Sequence, residues 1–96
     1  MTPEVTLFDL VIVSPDETIL ETQAKKVLVP GTIQELAILP NHTPLYSELI
    51  KGTVVIENAD GKVQEIDIDG GIIRVRRNKV SIILGFDREI EKVPTQ

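Results

Sequence analysis

A chain of 96 residues with a formal charge of −5, 42% hydrophobic and 26% charged, has the make-up of one globular domain at most. The absence of cysteine excludes a disulfide scaffold and thiol chemistry, and the acidic balance argues against a nucleic-acid surface. No apolar run approaches the roughly 18 residues of a membrane-spanning helix. The opening MTPEVTLFD has neither the apolar run of a secretory signal nor the arginine-rich character of a transit peptide, so a cytoplasm-like compartment is expected.

In chain order, residues 5–13 are dense in β-branched and other apolar side chains. They predict a strand buried on much of both faces, closed by Ser14-Pro15-Asp16. Residues 18–29 predict a longer strand with Lys25-Lys26 in its middle. Helix propensity at residues 21–26 competes, but Val27, Leu28 and Val29 run into Pro30-Gly31, a turn and not a helix cap. Residues 36–39 form a short apolar strand closed by Pro40, and residues 45–50 another ended by Lys51-Gly52. Two further strands, 53–57 and 62–69, flank a hairpin signal at Asp60-Gly61; on the second arm Ile66 and Ile68 alternate with Glu65, Asp67 and Asp69. Gly70-Gly71 marks a corner, after which Ile73 and Val75 alternate with Arg74 and Arg76. Beyond a turn at Arg77-Asn78, Val80, Ile82 and Leu84 share a face.

Turn signals recurring this often predict an all-β fold, a small sandwich or flattened barrel of about eight to ten short strands. Pro30, Gly52, Gly70 and Gly71 are its expected structural turns, with no glycine or proline inside a strand. The expected division is one sandwich domain over residues 1–86 and a short polar tail over residues 87–96.

Chemistry-bearing constellations are sparse. His42 is the only histidine, so clustered zinc ligands and Cys–His pairs are excluded. It reads as a loop residue bonded to nearby backbone or as an interface contact, with catalysis the lesser alternative. Glu65, Asp67 and Asp69 lack the glycine-punctuated loop of a calcium site and read as a solvated strand face. Arg74, Arg76, Arg77 and Lys79 form the one basic cluster, either a solvated hairpin end or a contact for an acidic partner. With Phe8, Tyr46 and Phe86 the only aromatic residues, a stacking platform for single strands is lacking. Gly70-Gly71 precedes a strand, not a helix, and is no phosphate cradle.

The most specific signal is PGTIQELAILPNHTPL at residues 30–45. It resembles the signature of the epsilon-subunit family of F-type ATP synthases, roughly P-G-x-x-G-E-x-G-I-L-P-x-H-x-P-L. Pro30, Gly31, Glu35, Ile38, Leu39, Pro40, His42, Pro44 and Leu45 fall on the pattern; Gln34 and Ala37 stand where the family has glycine. Val11-Ile12-Val13-Ser14-Pro15-Asp16, Lys51-Gly52, Asp69-Gly70-Gly71 and Asn78-Lys79-Val80 extend the likeness over about residues 5–86.

The resemblance implies the amino-terminal β-sandwich of that family, without the helical hairpin that usually follows it and without any nucleotide site on that hairpin. It implies a non-catalytic rotor subunit between the gamma subunit and the membrane c-ring, coupling proton or sodium flow to ATP synthesis. No cofactor and no metal are expected. It implies a c-ring-side contact at Gly31, Thr32, Ile33, Gln34 and Glu35 and a gamma-side contact at Pro40, His42 and Pro44. Location would be the cytoplasmic face of a bacterial membrane, peripheral through the complex and without direct insertion. A free-standing binding module on a similar sandwich, or a small hydrolase using His42, are the alternatives.

Overall fold

The computed structural model describes residues 6–85, and every regular element in it is a strand. The elements are β1 (Phe8–Val13), β2 (Thr18–Pro30), β3 (Glu35–Ile38), β4 (Leu45–Asn58), β5 (Val63–Arg76) and β6 (Lys79–Leu84). The expected polar tail at residues 87–96 and the start of the first predicted strand lie outside the described residues.

Strand order is β1-β6-β5-β4-β2-β3, and an additional β1–β2 pairing closes the first five into a ring. All pairings are antiparallel except β1 with β6, where Leu10 meets Val80 and Ile12 meets Ile82 in parallel register. Val27 pairs with Ile56 of β4 on one edge of β2 and with Ile38 of β3 on the other. The β3 edge is the one that the first half of β2 gives to β1, since Ala24 pairs with Phe8 there and with Asn58 opposite.

Three strands exceed a dozen residues, and each reverses which parity of side chain faces inward. In β2 the buried set passes from Ala24 to Val27 and Val29; in β4 from Leu49 to Val54 and Ile56; in β5 from Ile68 to Ile73 and Val75. A strand with period-two side chains changes parity only where it bulges or bends, so each strand turns a corner between layers. In β2 the register steps from Ala24↔Asn58 to Lys26↔Glu57, leaving Lys25 as the extra, bulged residue. In β5 the corner is Gly70-Gly71, at φ of 97° and 159°.

Three expectations are corrected. Among the described residues there are six strands, not eight to ten, because residues 45–50 and 53–57 run on as β4, and residues 62–69 and 72–76 as β5. Gly52, Gly70 and Gly71 accordingly lie within strands and not at turns, while Pro30 is the last residue of β2, where the β2–β3 turn begins as expected. Gly70 and Gly71 supply backbone freedom for a bend, and Gly52 leaves room for Pro30, whose Cβ would lie 2.9 Å from a Cβ at that position; the ladder continues, with Lys51 still paired to Asp69 and Leu49 to Gly71. The first strand is also one-sided: Phe8, Leu10 and Ile12 are fully buried, Val11 and Val13 half-buried, and Asp9 exposed.

The Asp60-Gly61 hairpin forms as expected, with Gly61 at φ 87° and its N–H donating to the Asn58 carbonyl at 3.0 Å. The core is aliphatic apart from Phe8, and no polar or charged residue is buried among the described residues.

Candidate docking surface

β3 ends the strand order and pairs only with β2, so its outer edge presents backbone groups that no described strand satisfies. Its two ends carry the two groups of residues singled out in the sequence. At one end the β2–β3 hairpin closes at Pro30↔Glu35 around Gly31, Thr32, Ile33 and Gln34. Gly31 is buried and bridges to Leu49 of β4. A Cβ there would lie 2.5 Å from the Gln34 carbonyl oxygen, so the tight approach requires glycine. Thr32, Gln34 and Glu35 are exposed, and Ile33 projects at 93% exposure. Neither Gln34 nor Ala37 has positive φ, so both fit the backbone without left-handed strain.

At the other end Leu39 begins a turn in which the His42 N–H donates to the Leu39 carbonyl at 3.2 Å. Asn41 takes φ 62°, a conformation that asparagine tolerates better than most residues. His42 Nδ1 lies 2.6 Å from the Thr43 carbonyl oxygen. A carbonyl only accepts, so Nδ1 carries the proton there and Nε2 is left as the second ring nitrogen. This local bond matches the loop-histidine reading. Pro40 is half-buried and Pro44 exposed. The four residues of β3 separate the two groups by about 10–13 Å, so they are two patches on one edge.

Asn78, in sequence a turn residue and part of the Asn78-Lys79-Val80 likeness, holds the second patch in place. Its Nδ2 donates to the Leu7 carbonyl at 2.8 Å, its Oδ1 accepts from the Asn41 N–H at 2.8 Å, and its carbonyl accepts from the Asp9 N–H at 3.2 Å. One side chain in the β5–β6 turn thus ties the entry to β1 to the loop bearing His42. Its sequence signals are the Arg77-Asn78 turn, whose two residues take φ of 53° and 61°, and its place in the Asn78-Lys79-Val80 likeness; neither shows the bonds it makes. Asn78→Ala is expected to cost about 2–4 kcal/mol, the sum of two hydrogen bonds and an alanine forced into left-handed backbone. Urea midpoints measure this, and a loss under about 0.5 kcal/mol would remove Asn78 from that role.

Residues 7–85 match the family described as the beta-sandwich domain of the ATP synthase Delta/Epsilon chain. Over 86 residues the chain is 41% identical to the ATP synthase epsilon chain of Desulfitobacterium hafniense (strain Y51), covering 90% of this chain and 64% of that one. It is 44% identical over 72 residues to the epsilon chain of Bordetella petrii, covering 75% of this chain and 51% of that one. The chain therefore spans between half and two thirds of the length of these curated relatives. Among solved structures, a chain of the Euglena gracilis mitochondrial ATP synthase OSCP/F1/c-ring assembly superposes with a TM-score of 0.77 at 17% identity, covering 100% of this chain and 72% of that one. A chain of the Tetrahymena thermophila central stalk/c-ring assembly superposes with a TM-score of 0.71 at 14% identity, covering 99% of this chain and 75% of that one. At such identities the likeness establishes the sandwich fold.

Proposed function

Because the chain belongs to the β-sandwich family of ATP synthase Delta/Epsilon chains, we propose that it works as a non-catalytic subunit of the rotating central stalk of an F-type ATP synthase. In this reading it links the gamma subunit to the c-ring, makes no covalent bond itself and transmits torque. The observation that carries the reading is the match over residues 7–85, which takes in both patches on the β3 edge. The architecture suits a torque-bearing part, because a closed ring of strands around a close-packed aliphatic core deforms little under load. The proposed location is the cytoplasmic face of a bacterial membrane, held there through the complex, in keeping with the bacterial relatives.

Within that proposal the Gly31–Glu35 patch faces the polar loops of the c-ring. Glu35 offers a carboxylate at the rim and Ile33 an exposed apolar anchor. The patch of Pro40, His42 and Pro44 faces gamma, where two prolines limit the backbone entropy lost on docking.

The test is assembly with purified gamma and c-ring. Glu35→Lys, an exposed charge reversal, is expected to slow association with the c-ring about tenfold and alter its salt dependence while leaving folding intact. His42→Ala is expected to weaken gamma binding and leave c-ring binding unchanged. If the parent chain captures neither rotor part, the free-standing module becomes the better account. If it captures both and the two variants behave like the parent, the contacts lie elsewhere on the sandwich.

A further inference from the structure

The outward face where β5, β6 and β1 meet carries charge that the rotor reading does not use. Arg74 and Arg76 stand two residues apart on β5, so both leave the strand outward while Ile73 and Val75 fill the core behind them. Register sets Tyr46 of β4 opposite Arg74, Lys79 of β6 opposite Arg76, and Asp9 of β1 beside Lys79. A depression of about 430 Å³ is lined by Asp9, Arg74, Arg76, Lys79 and Ser81 together with Arg77 from the turn. An adjoining depression is lined by Pro44, Leu45, Tyr46, Arg74, Val75 and Arg76.

In the lining of this depression four cations therefore stand with one carboxylate, and that carboxylate already accepts a hydrogen bond from the Gln23 amide at 3.1 Å; Glu21, beside Asp9 and Lys79 in the next depression, and Glu48, diagonal to Arg74, border the face. The ion pair between Lys25 and Glu57 at 3.6 Å lies elsewhere, and among the described residues no carboxylate stands at ion-pair distance from any of the four cations. Like charges at neighbouring positions repel one another, and solvent and salt screen this only in part, so the face attracts an anion from outside. Arg77 adds a separate indication. It occupies left-handed backbone at φ 53°, where glycine or asparagine would sit with less strain, so the fold holds a fourth cation at the tip of the turn against a local preference.

We infer that this face docks an acidic segment of a partner polypeptide, with carboxylates seated among Arg74, Arg76 and Lys79 and an apolar neighbour against Tyr46. Guanidinium groups grip carboxylates through paired hydrogen bonds, and arginine beside an exposed tyrosine is the composition of an interface centre; Tyr46 is 72% exposed. The strand backbone beneath is already ordered, so little entropy is lost beyond the side chains themselves. Charge elsewhere decides between anions. The chain as a whole stands at −5, so a nucleic acid or an anionic bilayer extending past the patch meets repulsion. A short acidic segment meets only the local cations, within about one Debye length of roughly 8–10 Å.

Docking of this kind does not depend on the rotor reading, and the full chain alone suffices to test it. The probe is a fluorescein-labelled Glu-Ala repeat peptide followed by anisotropy, beside oligothymidylate and phosphatidylglycerol vesicles. The peptide is expected to bind, to weaken as salt rises, and to lose roughly tenfold or more in affinity with Arg74→Glu/Arg76→Glu. Arg74→Gln/Arg76→Gln, which keeps the shape, is expected to fall between parent and charge reversal. Lys62→Glu, on the distant Asp60-Gly61 hairpin, is expected to bind like the parent. Absence of peptide binding, equal binding by both double variants, or tighter binding of the oligonucleotide or the vesicles would each overturn the inference.

Discussion

Ile82→Ala is expected to destabilise the fold by about 2–5 kcal/mol. Ile82 is 0% exposed, and its cross-strand neighbours, Ile12 on β1 and Ile73 on β5, are 0% exposed as well. The three side chains form one buried row across the parallel and antiparallel pairings of β6. Truncation leaves a hole between neighbours whose strands are held at hydrogen-bonded spacing, so the row cannot close over it, and lost contacts add to lost burial. Ile82→Val, which removes one methylene, should cost about 0.5–1.5 kcal/mol and serves as the graded control. Urea midpoints at an unchanged slope give both values. A cost under about 0.5 kcal/mol for the alanine would mean that the β6 row is not part of the cooperative core.

Gly71→Ala is expected to cost about 2–4 kcal/mol, combining overpacking with backbone strain. A Cβ at that position would lie 2.5 Å from the Ile83 carbonyl oxygen and 3.1 Å from Leu84 Cδ2. The first obstacle is main chain of the paired strand, which moves only if β6 moves, and β6 carries Val80 and Ile82 into the core. Gly61→Ala is the comparison. Nothing lies within 4 Å of its Cβ, so only the strain of φ +87° remains, about 1–2 kcal/mol. Equal losses at the two positions would show that conformational freedom, and not the close approach of β6, is what glycine supplies at the corner of β5.

Much of the fold was legible because its signals are local. The Asp60-Gly61 turn sits where the dipeptide indicates. Alternation in β5 places Ile68 inside and Ile66 half-buried, with Glu65, Asp67 and Asp69 exposed. The corners were not legible. Gly52 and Gly70-Gly71 read as strand ends because glycine weakens a strand when only the local chain is considered; in the fold, a neighbouring strand keeps the ladder intact through the bend. Lys25 as a bulge was equally hidden, since its extra residue shows only against the register of β4.

The candidate site divides the same way. The motif over residues 30–45 supplied the residues of both proposed patches, because proline, glycine and a lone histidine at set spacing carry the family resemblance in the chain itself. Their separation to opposite ends of β3, the anchoring of the His42 loop by Asn78, and the gathering of Tyr46 and Asp9 around the arginines came from pairing.

By itself, then, the sequence determined the all-β class, most inward and outward faces and the family, since period-two burial and turn chemistry are properties of a few adjacent residues. Only the tertiary structure decided that all the strands but β3 close into a ring through a parallel β1–β6 pair, where turns become corners, and which charges share a face. Those outcomes rest on contacts between residues as distant in the chain as Leu7 and Asn78. Such pairings are selected by the burial and hydrogen bonding of the whole domain at once, which no local pattern records.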